Sequence, residues 1–261
     1  MPGGEEDDEI LSMKFGGKTI GENLEAAIAA GRVIRRADGK LSVPQTPPAV
    51  RFGNGKLFER DCGFLNQFMF EHIYGGACVP VGCATCYKVK VEPQTMRQLM
   101  AVKKISEGFD CSAKSVPEVD NSGNQSRYAS YFYLTGLDQA RAVYKEVRAK
   151  VDADAALGPS VKVIIKRGCT NYEHACGPSD RYTFDPRLKD VEGYFRALYR
   201  PPKPVPTPAK KYQDAAVLLQ IARTAYRIGD NTYRDFTGGK EILPPTISYD
   251  PNGPDEENSS N

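Results

Sequence analysis

Three closely spaced cysteines constrain this chain more than any other feature of its sequence. The segment from Gly75 to Val91 reads GGACVPVGCATCYKVKV and spaces Cys78, Cys83 and Cys86 as C-x4-C-x2-C. The residues between them are mostly small, so three sulfur atoms can converge on one point without crowding. Thiolate is a soft ligand that binds zinc, copper(I) and iron–sulfur clusters. The spacing therefore predicts a metal or iron–sulfur site.

Zinc and cubane iron–sulfur clusters usually take four protein ligands, so the triplet needs a further ligand from elsewhere in the chain. The segment RGCTNYEHACGPSDRY carries Cys169 and Cys176 on a second loop containing Gly and Pro, directly after a predicted strand. We therefore predict a metal site formed by Cys78, Cys83, Cys86, Cys169 and Cys176. For Cys62 and Cys111 a buried core position is the preferred interpretation. The other candidates for the further ligand are Cys62, Cys111 and, for zinc, His72 and His174.

Together with a distant fourth cysteine, the triplet resembles the loop that holds a [2Fe–2S] cluster in plant-type ferredoxins. The similarity is one of local spacing and covers roughly residues 75–115. It implies that Cys78, Cys83 and Cys86 are the first three ligands and that Cys111 is the fourth. An iron–sulfur protein, serving electron transfer or structural stabilisation, is the preferred prediction of function.

The same cysteines leave two other functions open. Zinc is the main alternative, because Cys83 and Cys86 have the C-x2-C spacing of structural zinc sites. The chain would then be a zinc-stabilised binding or assembly module within a larger complex. Cys169 lies close in sequence to Glu173 and His174, which makes it a candidate nucleophile for a thiol enzyme. The simplest competing interpretation is that the thiols are buried small hydrophobic side chains.

The composition of the chain indicates its cellular compartment and limits the classes of binding partner. The 35 Lys and Arg residues nearly balance the 33 Asp and Glu residues, which argues against a protein that binds polyanions over its whole surface. No apolar run approaches the ~20 residues of a membrane helix, and the start MPGGEEDDE lacks a signal-peptide pattern. An odd number of cysteines, seven, suits ligands or core positions in a reducing compartment. We expect a cytoplasmic protein without membrane contact.

A local nucleic-acid site is a less favoured alternative. Basic and aromatic residues lie on or next to predicted strands that would share one sheet face or edge: Lys88, Lys90, Lys162, Lys166, Arg167, Tyr128, Tyr131 and Tyr133. Lysines beside aromatic rings can bind single-stranded nucleic acid. Alternating lysines on a strand more often form a solvated face that prevents aggregation.

Periodicity predicts an α+β fold, with helices packed on a mixed sheet, cysteine-rich loops at one end of it and extended N- and C-terminal arms. Alternating apolar positions predict strands at 87–91, 128–134 and 161–166. A helix at 138–151 separates the last two strands, which favours parallel neighbours joined by a right-handed crossover. Residues 112–126 have the composition of a polar loop. Further helices are predicted at 20–30, 63–74, 95–106, 190–199 and 213–228.

Three regions follow from this pattern. Residues 1–50 form an acidic N-terminal arm with a short helix, and residues 51–199 form the cysteine-rich α+β core domain. Residues 200–261 comprise a Pro-rich linker, an amphipathic helix and a disordered acidic tail. A helix isolated beyond a linker cannot bury its apolar stripe alone. We therefore expect the helix at 213–228, with the tails, to bind a protein partner or a second copy of the chain.

Overall fold

A computed structural model describes residues 5–45, 49–56, 61–119, 126–203, 209–243 and 248. It confirms the α+β class, because helices pack on a five-stranded sheet and two short hairpins lie in the N-terminal part. The helices are α1 (Glu5–Ser12), α2 (Ile20–Ala29), a π-helix (Gly63–Ile73), α3 (Met96–Glu107), α4 (Leu137–Ala153), α5 (Thr170–Cys176), α6 (Leu188–Leu198) and α7 (Lys210–Arg227). The strands are β1 (Lys14–Phe15), β2 (Lys18–Thr19), β3 (Ile34–Arg35), β4 (Leu41–Ser42), β5 (Phe52–Gly53), β6 (Tyr87–Glu92), β7 (Ala113–Pro117), β8 (Tyr128–Leu134) and β9 (Lys162–Arg167).

The five-stranded sheet has the order β5-β7-β8-β6-β9, and every neighbouring pair is antiparallel. The sequence β6-α3-β7-β8-α4-β9 is a split β-α-β arrangement. β8 and β9 run in the same direction, but β6 lies between them and pairs with both. The prediction that these two strands are parallel neighbours is therefore wrong, and the sheet is antiparallel rather than mixed.

The sequence predicts a polar loop at 112–126, but part of this segment forms strand β7. The register places Ser115 opposite Ser130 in the middle of the sheet. Their side-chain oxygens are 2.7 Å apart, and both residues are buried. Because each hydroxyl satisfies the other, a polar segment can occupy a buried strand. Residues 120–125 of that loop lie outside the described residues.

The alternation of β6 and β8 sends one set of side chains to α3 and α4. Val89 and Phe132 are fully buried there with Val147 of α4. The opposite face of the sheet carries Lys88 and Tyr133, which face each other across β6 and β8. Lysines and tyrosines thus share one face, and the apolar core lies on the other.

A second core cluster joins the N-terminal arm to the helices around the cysteine loops. Ile20 of α2 is buried in this cluster with Phe68 of the π-helix and Phe195 of α6. The predicted capping box of α2 is confirmed, because Thr19 Oγ1 accepts from the N–H of Glu22 at 3.1 Å and Glu22 accepts from the N–H of Thr19 at 2.7 Å. The N-terminal arm therefore packs against the rest of the chain.

The C-terminal helix α7 also packs within the chain. Ile221, Ala222 and Ala225 are buried with Met96 of α3 and Tyr128 of β8. This covers the stripe that the sequence assigned to a partner. Most of the predicted linker (204–208) and of the acidic tail (244–247 and 249–261) lies outside the described residues. Among the helices in the described ranges, none has the length and apolar character needed to cross a lipid bilayer.

Candidate functional site

The two cysteine-bearing loops meet at one end of the sheet, as predicted. β6 begins directly after Cys86, β9 ends directly before Gly168, and Tyr87 pairs with Arg167. The N–H of Gly168 donates to the carbonyl oxygen of Cys86 at 2.9 Å. The Arg167 guanidinium donates to the carbonyl oxygen of Ala84 at 2.7 Å. These bonds hold the two loops side by side.

Cys83 and Cys86 lie in a buried turn that a carboxylate supports. They are 6% and 3% exposed, and the N–H of Cys86 donates to the carbonyl oxygen of Cys83 at 3.0 Å. Glu192 on α6 accepts from the N–H groups of Val81 and Gly82 at 2.6 Å and 3.0 Å. Burial raises the pKa of Glu192, and the two N–H groups oppose that shift. The carboxylate therefore ties α6 to the cysteine turn.

Cys169 occupies the position between β9 and α5. Gly168 before it has φ of 67°, a left-handed conformation that glycine adopts without strain. Glu173 lies close in sequence to Cys169, the candidate nucleophile. In the structure its carboxylate forms an ion pair with Lys166. The hydrogen-bond partner that the structure gives the Cys169 sulfur is the ammonium of Lys88, at 3.2 Å.

Lys88 is the most deeply buried cation of this region. Its side chain lies on the sheet face opposite α3 and α4, and the residue is 6% exposed. Burial by itself lowers the pKa of Lys88, but interactions with Cys169, Tyr133 and Cys86 outweigh burial and raise it. A buried ammonium is costly unless it has a hydrogen-bond partner. Here the Cys169 sulfur is that partner.

Cys62, for which the sequence favoured an ordinary core position, joins these thiols. It directly precedes the π-helix, whose Asn66 accepts a hydrogen bond from Asn171 of α5 at 2.8 Å. Although Cys62 is exposed at the surface, desolvation of its sulfur and then the charge of Cys169 raise its pKa to about 11. Burial raises the pKa of Cys83 most, and the charges of Cys169, Cys86 and Cys62 raise it further. We call Cys62, Cys83, Cys86 and Cys169 the four-thiol group.

Cys78 and Cys176, the other two predicted ligands, lie near each other. The sulfur of Cys176 is 3.5 Å from the carbonyl oxygen of Gly76. Burial, followed by the charge of Cys176, raises the pKa of Cys78 to about 12. Cys111 packs against the core of the sheet, whereas Cys83 and Cys86 belong to the other cluster. The fourth ligand implied by the ferredoxin-like spacing is therefore separated from the triplet.

The donor chemistry of the four-thiol group fits a metal, although its present spacing does not fit one ion. All seven cysteines are free thiols. In the described part of the chain, no group of three or more His, Cys, Asp or Glu side chains is arranged to hold a metal ion. Zinc with bonds of about 2.3 Å would hold its thiolates about 3.8 Å apart, so the group would have to contract around it.

Sequence reasoning kept Cys62 only as a less favoured candidate ligand and did not connect Lys88 with the thiols, both for physical reasons. Cys62 lies far from the triplet and shares no spacing motif with it. Lys88 was expected on a solvated face, but it is 6% exposed and its ammonium contacts the Cys169 sulfur. Only the tertiary packing brings both residues to the sulfur atoms.

Comparisons with protein-family models, with curated proteins and with solved structures gave no match. Function therefore has to be inferred from the chemistry of the site itself.

Proposed function

We propose that this chain is a metal-centre protein that binds an iron–sulfur cluster for electron transfer or structural stabilisation. The four-thiol group would provide the ligands. The observation that carries the proposal is the Lys88 ammonium, 6% exposed and 3.2 Å from the Cys169 sulfur. Four thiolates around a cluster form a negative centre, and a buried cation beside them offsets part of that charge.

The C-x4-C-x2-C spacing gives independent support, because it is typical of a [2Fe–2S] loop. Two of its cysteines, Cys83 and Cys86, lie in the four-thiol group. The third, Cys78, lies on the same loop near Cys176.

Zinc is the second candidate for the metal. The turn of Cys83 and Cys86 has the C-x2-C spacing of structural zinc sites, and two more thiols lie close to it. The chain would then be an assembly module. A thiol enzyme is the third candidate, because the Lys88 ammonium beside Cys169 is suited to a thiolate nucleophile.

Anaerobic purification followed by elemental analysis separates these candidates. A visible absorption band at about 400 nm, together with iron and acid-labile sulfide, supports the iron–sulfur cluster. A colourless protein with about one equivalent of zinc supports the second candidate. A protein without metal whose Cys169 is alkylated rapidly at neutral pH supports the third.

Serine variants identify the ligands. Cys83→Ser, Cys86→Ser, Cys169→Ser and Cys62→Ser should each lower the metal content, because each removes a thiolate. Cys111→Ser is the matched control, since Cys111 is half-buried in another part of the core. Loss of metal in Cys111→Ser but not in Cys62→Ser would replace our ligand set with the ferredoxin-like one. Cys78→Ser and Cys176→Ser test the remaining two predicted ligands.

We also propose a cytoplasmic location and a protein partner. Free thiols persist in reducing compartments, which suits this site. We propose that the partner binds the outer side of α7, because the apolar stripe on the inner side of this helix is covered by α3 and β8. Tyr212 and Leu219 are 62% and 46% exposed there.

A further inference from the structure

The sheet face opposite α3 and α4 carries an unusual concentration of lysines and tyrosines. β6 places Lys88 on this face, β7 places Lys114 there, and β8 contributes Tyr131 and Tyr133. The register sets Lys88 opposite Tyr133 and Lys114 opposite Tyr131. Ammonium groups therefore lie beside aromatic rings on three adjacent strands.

A cavity of about 490 Å³ opens on this face. Its size lies within the range of small-molecule sites. Its lining includes three lysines, two tyrosines and one carboxylate, with Cys169 at the end near the thiols: Lys88, Lys114, Lys166, Tyr131, Tyr133 and Glu118. The tyrosine rings form part of the wall, and the three lysines outnumber the single carboxylate of Glu118.

The positive charge of the cavity is only partly compensated. Lys166 is paired with Glu173, and Lys88 has the Cys169 sulfur. Lys114 lies 5.0 Å from the ring centre of Tyr131, and no carboxylate in the described ranges forms a salt bridge with it. Burial and then the charge of Lys88 lower the pKa of Lys114, and the nearby Glu118 opposes this shift only in part. An anion in the cavity would remove this repulsion.

We propose that this cavity binds the phosphoryl group of a small molecule through Lys88 and Lys114. A phosphoryl group carries a charge of about −1.5 to −2 and three acceptor oxygens, which matches two ammonium groups better than a single carboxylate does. Tyr131 and Tyr133 provide walls against which a flat ring can lie, so a nucleotide is the favoured class. The cavity shares Lys88 and Cys169 with the proposed metal site, so the experiments below separate the two.

Calorimetric titration of the full chain tests the proposal, with inorganic pyrophosphate and ADP as probes. Both should bind, and Lys114→Gln should weaken binding about ten- to a hundredfold because it removes one charge-assisted contact. Lys114→Arg should retain most of the affinity. Lys162→Gln is the matched control, because Lys162 is exposed on β9 and lies outside the cavity.

A second measurement avoids variants that fail to fold. In the wild-type protein, bound ADP should protect Lys114 from acetylation by acetic anhydride, as read by mass spectrometry, but should not protect Lys162. Both experiments are repeated on Cys83→Ser, so that loss of the metal and failure of the cavity are distinguished.

Three outcomes would overturn the proposal. The first is no binding of either probe together with no protection of Lys114. The second is equal weakening by Lys114→Gln and Lys162→Gln, which would indicate general charge screening. The third is much tighter binding of a ten-residue oligothymidylate than of ADP, which would assign the face to single-stranded nucleic acid.

Discussion

Among the individual residues, Lys88 links the sulfur chemistry to the sheet. Its ammonium is withdrawn from water and contacts the Cys169 sulfur at 3.2 Å. Groups that contact metal ligands in this way typically contribute a factor of about 10 to 100 in metal affinity. We expect Lys88→Gln to lose metal at a correspondingly lower chelator concentration, measured by competition with a coloured chelator.

Lys90→Gln is the control for this prediction. Lys90 lies two residues along the same strand and is 7% exposed, but its ammonium is paired with Glu92 at 2.7 Å. Its loss should leave the metal affinity unchanged. If the two variants lose metal equally, the effect comes from a disturbed β6 and not from the charge beside Cys169.

At the scale of elements, the register of β6 and β9 positions the site. The left-handed turn at Gly168 directs the chain from β9 to Cys169. Alanine in this conformation costs about 1–2 kcal/mol. A Cβ here would also lie 3.2 Å from the ring of Tyr172, so we expect Gly168→Ala to lower the free energy of unfolding by at least that amount and also to lower the metal content.

Gly158 offers a matched comparison, because its φ of 73° is also left-handed and it lies in the connection between α4 and β9. A Cβ at Gly158 would meet no atom within 4 Å, so Gly158→Ala should cost only the conformational free energy, about 1–2 kcal/mol measured in urea, while the metal content stays unchanged. An equal loss of metal in both variants would show that stability alone controls metal binding.

The elements themselves were largely predictable, and their pairing was not. Thr19 and Thr95 accept hydrogen bonds from N–H groups at the starts of α2 and α3, and such signals lie within a few residues of sequence. The helix between β8 and β9 correctly predicts that the two strands run in the same direction. The insertion of β6 between them depends on contacts between residues that are distant in sequence. Local periodicity carries no information on that order.

For the candidate site, the sequence predicted that the two cysteine loops meet, because both adjoin predicted strands. The grouping of the sulfur atoms could not be predicted. The hydrogen bond between Asn66 and Asn171 connects the π-helix, which follows Cys62, to α5, which follows Cys169. It forms only when the π-helix packs against α5. Spacing within a loop says nothing about such long-range docking.

On the scale of the whole molecule, the C-terminal segment is fastened to the sheet by one carboxylate. Asp230 is 5% exposed and follows α7. It accepts hydrogen bonds from the N–H of Met96 at 2.6 Å and from the hydroxyl of Tyr128 at 2.7 Å. α3, β8 and the C-terminal segment thus share one buried acceptor, which adds to the apolar packing of α7.

This carboxylate makes the stability of the molecule depend on pH. Burial raises the pKa of Asp230, but the bonds from Thr232, Tyr128 and Met96 outweigh burial and hold it below the ordinary value of 3.8. The folded state therefore binds a proton less readily than the unfolded chain. The contribution of Asp230 to stability is present above about pH 4 and is lost as the pH falls through its folded pKa.

We expect Asp230→Asn to lower the free energy of unfolding by about 1–3 kcal/mol at pH 7, because the variant leaves buried donors poorly paired. The difference from the wild type should shrink as the pH falls below about 4. Urea unfolding between pH 7 and pH 3 measures both effects. Asp214→Asn is the control, because Asp214 pairs with Lys210 on the surface of α7 and should change stability by less than about 1 kcal/mol. A difference for Asp230→Asn that stays constant with pH would show that the charge of Asp230 does not fasten the C-terminal segment.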